Sequence, residues 1–352
     1  MKIAVLLSGG VDSSVSLALL KEKGYDVTAF YIKIWLEDEL SFLGQCPWEE
    51  DLEFAKGVCE KLDVPLKVVS LQKEYYQHVV SYVIDELKKG RTPSPDIFCN
   101  ERIKFGVFLE RFSLEFDKVA SGHYAQIEQI EGKPVLKISP DPVKDQSYFL
   151  AHLKRQQLEK ILFPIGGFYK KQVRELAEKY DLPNKNRKDS QGICFLGKIK
   201  YHDFVKHHLG EKRGDILEES SGKKMGEHEG YWYYTIGQRQ GIGLSGGPWY
   251  VVKKDLEKNI VYISRSYNKD EYARNSYTVG EFSWLLDPPS KENLRVKLRH
   301  GPTFHQCRLV FSNQDKQEAQ VYMDQSDPGI APGQFTVFYD GDICLGCAKN
   351  IR

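Results

Sequence analysis

No run of apolar residues in this 352-residue chain approaches the length of a bilayer span, so neither a membrane anchor nor a membrane partner is expected. The first apolar run starts at Ile3, which leaves no room for a leader peptide and makes the cytoplasm the expected compartment. Charge of one sign is also missing: 50 lysines and arginines face 49 acidic residues. A net charge of +1 neither demands nor forbids a nucleic-acid partner, which needs only a basic patch. Repeats and low-complexity tracts are absent, which excludes solenoids and long disordered linkers. The seven cysteines are an odd number in a chain without secretory features, so reduced thiols are expected in place of a disulfide framework. Cys344 and Cys347 form a C-x-x-C pair, but no second pair at metal spacing joins them, and their strand-like surroundings give them a structural reading.

One further absence falls in the stretch Leu6-Leu7-Ser8-Gly9-Gly10-Val11-Asp12-Ser13-Ser14. The apolar run from Ile3 suits a strand buried on both faces, and Val11, Val15, Ala18 and Leu19 mark a helix ending near Gly24. Gly9 and Gly10 permit a tight turn, Ser8, Ser13 and Ser14 add hydroxyls, and the helix start offers free N–H groups. Such a loop cradles an oxyanion, most naturally a polyphosphate. A Walker loop would carry a lysine, and none lies between Lys2 and Lys21, which excludes the kinase-type loop.

The length predicts two or three domains. Runs 27–35 and 65–71 read as strands, and Leu52, Ala55, Cys59 and Leu62 as the stripe of a helix between them. Helices are expected over 74–89 and 100–112, a strand and small-residue turn over 118–124, a hairpin over 126–139 and helical spacing over 153–180. This alternation predicts an α/β fold, a doubly wound parallel-sheet nucleotide-binding domain over 1–200. Its ligand would sit beyond the carboxyl ends of the strands, where Ile32 could meet the adenine edge and Gly122 let the chain pass close to the nucleotide. From about residue 201 the alternation lapses, and glycine-rich turns between short β-like runs predict a small central β-rich domain over 201–268 and a C-terminal β-barrel over 269–352.

Two cysteines have unusual neighbours. Cys99, in Pro93-Ser94-Pro95-Asp96-Ile97-Phe98-Cys99-Asn100, falls at an expected helix start, a setting that favours thiolate, and Asp96 is a candidate proton acceptor. Cys194 lies in Gly192-Ile193-Cys194-Phe195-Leu196-Gly197, after the basic segment 185–188. Each alone also fits a small buried side chain, as do Cys46 and Cys59.

The S-G-G-x-D-S-S loop resembles the pyrophosphate loop of ATP pyrophosphatases. Together with the Cys99 stretch, Ser121-Gly122-His123-Tyr124, Lys144-Asp145-Gln146-Ser147-Tyr148-Phe149-Leu150, Asp189-Ser190-Gln191-Gly192-Ile193-Cys194-Phe195, Thr235-Ile236-Gly237-Gln238-Arg239, Trp249-Tyr250-Val251-Val252 and Pro332-Gly333-Gln334, it appears in the order seen in tRNA-specific 2-thiouridylases of the MnmA type. The resemblance covers nearly the whole chain. It implies an adenine nucleotide alpha hydrolase-like catalytic domain that binds ATP through residues 6–14, Ile32 and Gly122, with Asp12 helping to hold Mg2+. It implies adenylation of the C2 oxygen of the wobble uridine in tRNAs for lysine, glutamate and glutamine. Cys194 would then receive sulfur as a persulfide from a carrier protein or cysteine desulfurase, and Cys99 would attack it. Asp96 would lie beside the target base, while Ser94, Pro95, Lys144, Asp145, Gln146, Arg299 and His300 would touch the tRNA, with the chain acting as a monomer. Arg299-His300-Gly301-Pro302 departs from the aromatic-containing pattern of the family. The same residue types leave open an iron–sulfur cluster on Asp96, Cys99 and Cys194. Another pyrophosphate-loop enzyme, such as an amidotransferase synthetase or a tRNA lysidine synthetase, has no need of the two thiols, and a tRNA-binding protein with a vestigial loop has no need of an intact Ser8, Asp12 and Ser13.

Overall fold

The computed structural model describes residues 1–34, 48–189, 200–265, 274–312, 315–327 and 329–351. In chain order the first unit contains β1 (Lys2–Leu6), α1 (Val11–Glu22), β2 (Asp26–Lys33), α2 (Trp48–Leu62) and β3 (Leu66–Ser70). Helix α3 joins Gln72–Tyr75, Tyr76–Val80 and Ser81–Lys88, and α4 joins Pro95–Phe98, Cys99–Val107 and Phe108–Phe112, the middle piece of each wound as a π-helix. Then come β4 (Lys118–Ala120), the hairpin β5 (Ala125–Ile130) and β6 (Lys133–Ile138), α5 (Ser147–Leu150), α6 (Arg155–Leu158), β7 (Ile161–Leu162), α7 (Lys170–Lys179) and α8 (Tyr201–Leu209).

Strand β1 is central because both of its faces are apolar. Ala4 and Leu6 join one core with Phe30, Val83, Ile103 and Phe108, whereas Ile3 and Val5 join another with Val15, Val58 and Val173. The parallel order is β3-β2-β1-β4-β7, a doubly wound sheet with helices on both faces. Its order reverses between β1 and β4, which sets the loops after these two strands side by side at the position where such sheets bind ligands.

Three local expectations change. The span 153–180 is not all helical, because Ile161 and Leu162 pair with β4 as the fifth strand. Two residues carry too little pattern to reveal a period of two, and both fit the helical stripe that surrounds them. A helix, α8, also occupies the start of the region where alternation lapses. Helix α4 starts at Pro95, five residues earlier than expected, because proline's fixed φ suits the first helical position.

The middle unit is a four-stranded sheet of β8 (Gly214–Glu218), β9 (Lys224–His228), β10 (Tyr250–Asp255) and β11 (Ile260–Ser264), in the order β10-β11-β8-β9. The last unit is a six-stranded antiparallel barrel of β12 (Arg274–Trp284), β13 (Asn293–Lys297), β14 (His305–Phe311), β15 (Glu318–Asp327), β16 (Phe335–Asp340) and β17 (Ile343–Asn350), closed by pairing of β12 with β17. Hairpin β5–β6, although early in the chain, extends this barrel sheet through Leu136 and Lys137 against Cys344 and Ile343. Cys344 and Cys347 are fully buried on β17, and burial pushes both thiols up, as their structural reading requires. All three units meet at Thr92, whose N–H donates to Pro332 O at 2.9 Å and whose hydroxyl bonds that of Thr235 at 3.3 Å.

Candidate active site

The loop after β1 is shaped by its own serines. Gly10 O accepts the Ser14 N–H at 3.2 Å and the hydroxyls of Ser13 and Ser14 at 3.0 and 2.9 Å, and the Ser8 N–H donates to Ser13 Oγ at 3.2 Å. Gly9 has φ +75, and a Cβ there would lie 2.2 Å from Asp51 O, so only glycine fits. From the far end of the domain, the Asn184 amide donates to Gly9 O at 2.7 Å and to Ser14 Oγ at 2.9 Å, and Arg187 donates to Gly9 O at 3.1 Å while pairing with Asp51. The hydroxyls therefore fix the turn, and the first N–H groups of α1, which have no intrahelical acceptor, are what the turn offers to an anion.

The cation missing from the loop arrives from α7. Lys170 Nζ lies 2.7 Å from Asp12 Oδ1 and 2.7 Å from Asp189 Oδ1, and its backbone N–H is capped by Asp141 Oδ2 at 2.9 Å. Asp189 also takes Arg174 at 2.6 Å and Lys144 at 2.6 Å. Burial alone would raise the Asp189 carboxyl, but hydrogen bonds from Lys144 and Lys170 outweigh it and bring the group down to about 2. Tyr124 donates its hydroxyl to Asp12 at 2.8 Å, and burial followed by the Asp12 charge keeps it protonated far above its ordinary value. Lys170, Arg174 and Lys144 thus stand with Asp12, Asp189 and Asp141 beside the phosphate loop.

Gly122, after β4, packs on that loop: a Cβ there would lie 2.6 Å from Ser13 N and 2.8 Å from the Asp12 carbonyl carbon. Its neighbour His123 bonds Ser121 Oγ at 2.8 Å, and burial together with nearby Lys104 holds it well below its usual value, as neutral imidazole. Lys104 in turn bonds Asn100 Oδ1 at 3.0 Å, and the Asn100 amide donates to Phe149 O at 3.2 Å. Helix α4, which carries Asp96 and Cys99, meets the turn that abuts the phosphate loop through Phe105, whose ring centroid lies 6.0 Å from that of His123. Asp96 is half-buried in the first turn and Cys99 is 2% exposed. With α4 starting at Pro95, Cys99 is its fifth residue, beyond the first turn where a helix terminus acts most strongly on a thiol. Cys194 and Cys46 lie outside the described residues, and Asp189 is the last described residue before the Cys194 segment.

Of the residues expected to touch RNA, Arg299 and His300 are exposed, Arg299 paired with Asp327 and His300 stacked on Phe149 with centroids 4.9 Å apart. Ser94 is half-buried, its N–H donating to the Tyr82 hydroxyl at 3.2 Å, and Pro95 is buried. Asp145 requires a correction. It is 1% exposed, lies 2.6 Å from the equally buried Lys297 of β13 and accepts Ser139 N–H and Ser147 Oγ, so it locks the barrel to the first unit instead of facing RNA. Gln146 is likewise occupied, pairing with both backbone groups of Tyr124 at 2.9 and 2.8 Å, and Lys144 is the member of the triplet that reaches the site. Ile32 is half-buried near the end of β2, beside β1.

Three family models match consecutive parts of the chain: a tRNA methyl transferase HUP domain over 1–198, a tRNA methyl transferase PRC-barrel domain over 202–265 and an aminomethyltransferase beta-barrel domain over 274–349. The chain is 46% identical to the tRNA-specific 2-thiouridylase MnmA 1 of Bacteroides thetaiotaomicron, covering 100% of both chains. It is also 46% identical to the tRNA-specific 2-thiouridylase MnmA of Parabacteroides distasonis, over 100% of this chain and 99% of that one. For the protein of that name from Porphyromonas gingivalis the identity is 44%, with 98% of each chain covered. The chain belongs to the tRNA-specific 2-thiouridylase family. The three matched segments of this 2-thiouridylase relative follow its parallel sheet, its four-stranded sheet and its closed barrel. Among the described residues no helix is long and apolar enough to cross a membrane.

Sequence reasoning missed Lys170, Arg174, Asn184 and Asp141 as parts of the site. Lys170 and Lys171 open a helix in which they look like solvated charges, and nothing local links Lys170 to a loop 158 residues earlier.

Proposed function

We propose that the protein is an ATP-dependent tRNA-uridine 2-sulfurtransferase that converts the wobble uridine to 2-thiouridine, releasing AMP and pyrophosphate. The observation that carries this reading is the meeting of the phosphate loop, its Asp12 paired with Lys170 of α7, and the helix of Asp96 and Cys99, whose Phe105 packs on His123, in a chain that matches named 2-thiouridylases end to end. ATP would lie across the ends of β1, β2 and β4, its phosphates against the N–H groups of α1 and the Lys170 ammonium. Uridine O2 attacks the α-phosphorus, the bond to the bridging oxygen breaks and pyrophosphate leaves. Lys170 and Arg174 offset the charge that develops there, electrostatic work that fixed groups do well in a shielded site. Asp12 would be the carboxylate that holds Mg2+, an ion that binds through one or two carboxylates and substrate phosphates. When bound, the ion neutralises the leaving pyrophosphate.

For sulfur delivery, a carrier protein or cysteine desulfurase loads Cys194 as a persulfide. The Cys99 thiolate attacks the Cys194 sulfur, a Cys99–Cys194 disulfide forms and hydrosulfide leaves; hydrosulfide adds to C2 and AMP departs. A thiol reductant returns the disulfide to two thiols. The expected substrates are tRNAs for lysine, glutamate and glutamine, acted on by a single copy of the chain. The test is to incubate the protein anaerobically with ATP, Mg2+, a persulfide donor and unmodified tRNA, then digest the RNA and weigh the nucleosides. A uridine heavier by the exchange of oxygen for sulfur supports the reading, and a product heavier by a methyl group overturns it. A requirement for added iron would move the sulfur onto a cluster held by Asp96, Cys99 and Cys194.

A further inference from the structure

Among the described residues eight large apolar side chains are exposed, and two of them, Val143 at 62% and Tyr169 at 51%, share one anchor. The Asp141 carboxylate, itself 9% exposed, accepts Val143 N–H at 3.1 Å and Lys144 N–H at 3.2 Å on one oxygen and Lys170 N–H at 2.9 Å on the other. A loop after β6 and the start of α7 are thus pinned to a single group. From these two pinned pairs the polar members turn inward, Lys144 to Asp189 and Lys170 to Asp12, while their apolar neighbours stay in water. Lys171, its side chain 89% exposed, follows Tyr169 by two positions. An aromatic face left in water at the rim of a site is an unusual use of apolar surface, and its place is fixed relative to Asp12 through Lys170.

We propose that Tyr169 and Val143 form a stacking platform for an unpaired nucleobase of the RNA substrate. The inference rests on the function proposed above. Chemistry at the C2 oxygen of a paired or stacked uridine requires the base to leave its stack, which leaves its neighbours unstacked. An aromatic face with cations around it is the usual receptor for such bases. Lys171 at the rim supplies charge complementary to the RNA backbone. Two side chains are also far too small an apolar area for a stable protein interface, whereas they match one base. The Tyr169 backbone N–H bonds the Gln172 side chain at 2.8 Å, so the helix start does not depend on the tyrosine ring and the ring can be removed alone.

The test uses the full chain with Tyr169→Ala and Tyr169→Phe, measuring the Kd for an unmodified tRNA transcript across a salt series, the KM for ATP and the thiolation rate. Loss of one stacked base raises the tRNA Kd about tenfold in Tyr169→Ala. The KM for ATP and the slope of log Kd against log salt stay as in the wild type, because no phosphate contact is lost. Tyr169→Phe keeps wild-type binding. A wild-type Kd in Tyr169→Ala overturns the platform, and so does equal weakening in Tyr169→Phe, which would point to the hydroxyl. Weakening seen only with a protein sulfur donor, with tRNA binding intact, would assign the patch to that donor instead. In each of these cases a wild type that thiolates tRNA leaves the proposed function standing, whereas a wild type that fails to act on tRNA removes both.

Discussion

The contact between Gly122 and the phosphate loop makes Gly122→Ala an informative substitution. Its Cβ would meet three backbone atoms, Ser13 N at 2.6 Å, the Asp12 carbonyl carbon at 2.8 Å and Ser13 Cα at 2.9 Å. Ordinary contact begins near 3.4 Å, so the first turn of α1 and the chain after β4 must separate by about 0.8 Å, and no flexible side chain can absorb the shift. Both sides are held: Ser121 N–H bonds Leu162 O at 3.1 Å, and Asp12 is fixed by Lys170 and Tyr124. Overpacking of this kind costs about 1–3 kcal/mol of stability. The larger effect is on chemistry, because a misplacement of roughly 1 Å at reacting groups lowers rates by about a hundredfold. The assay is tRNA-dependent pyrophosphate release, read as kcat/KM for ATP, beside a thermal melt. Gly132→Ala is the control: it sits in the β5–β6 turn at φ +73 with nothing within 4 Å, so it costs stability through backbone strain but leaves kcat/KM unchanged. Wild-type kcat/KM in Gly122→Ala would refute the argument that this close approach positions the nucleotide.

Lys170→Met removes the cation between Asp12 and Asp189 and lowers kcat/KM for ATP by about 10²–10³-fold with the fold intact; an unchanged value would take Lys170 out of the phosphate site. Lys297→Met leaves Asp145 charged in the interior and costs about 3–5 kcal/mol in denaturant unfolding, much of it recovered in Lys297→Met/Asp145→Asn, and equal stability of the single and double variants would contradict a buried lock. Acid should destabilise the protein in two stages. Burial, then His207, brings His208 down to about 4, so the unfolded chain takes up this proton first and stability falls as pH drops from about 6.5 towards 4. Asp189, held at about 2, then protonates in the unfolded chain below about 3.8, and its contribution is lost towards pH 2. His123, held well below its usual value, contributes to the same decline, so His208→Phe should shrink the first stage of an unfolding titration without removing it, and an unchanged decline would take His208 out of it.

What could be read from the sequence was what is local. The phosphate loop is a strand, a turn and a helix in one stretch, Lys2–Glu22, so its chemistry and its conformation share one window. Barrel strand β14 also showed itself, since its outward and inward residues alternate, whereas β16 and β17 are buried at nearly every position and read only as apolar runs. Hairpin β5–β6 was legible as a hairpin, but its partner β17 lies some two hundred residues on, and no periodicity encodes which sheet a hairpin joins. Strand β7 was hidden by being two residues long. Lys144-Asp145-Gln146 looked like one polar surface patch, yet its three side chains part to Asp189, Lys297 and Tyr124. Lys170 and Asn184 reach the loop only because α1 and α7 pack together, through Val15 and Val173 among others.

The central claim is a division of labour in which the loop of Ser8–Ser14 activates the uridine and the thiols deliver sulfur. The most direct measurement follows both half-reactions at once in Cys99→Ser, given ATP, Mg2+, a persulfide donor and unmodified tRNA. The account predicts tRNA-dependent pyrophosphate release at close to the wild-type rate in the first turnover, with no 2-thiouridine formed. Formation of 2-thiouridine at the wild-type rate, or loss of pyrophosphate release together with thiolation, would contradict it.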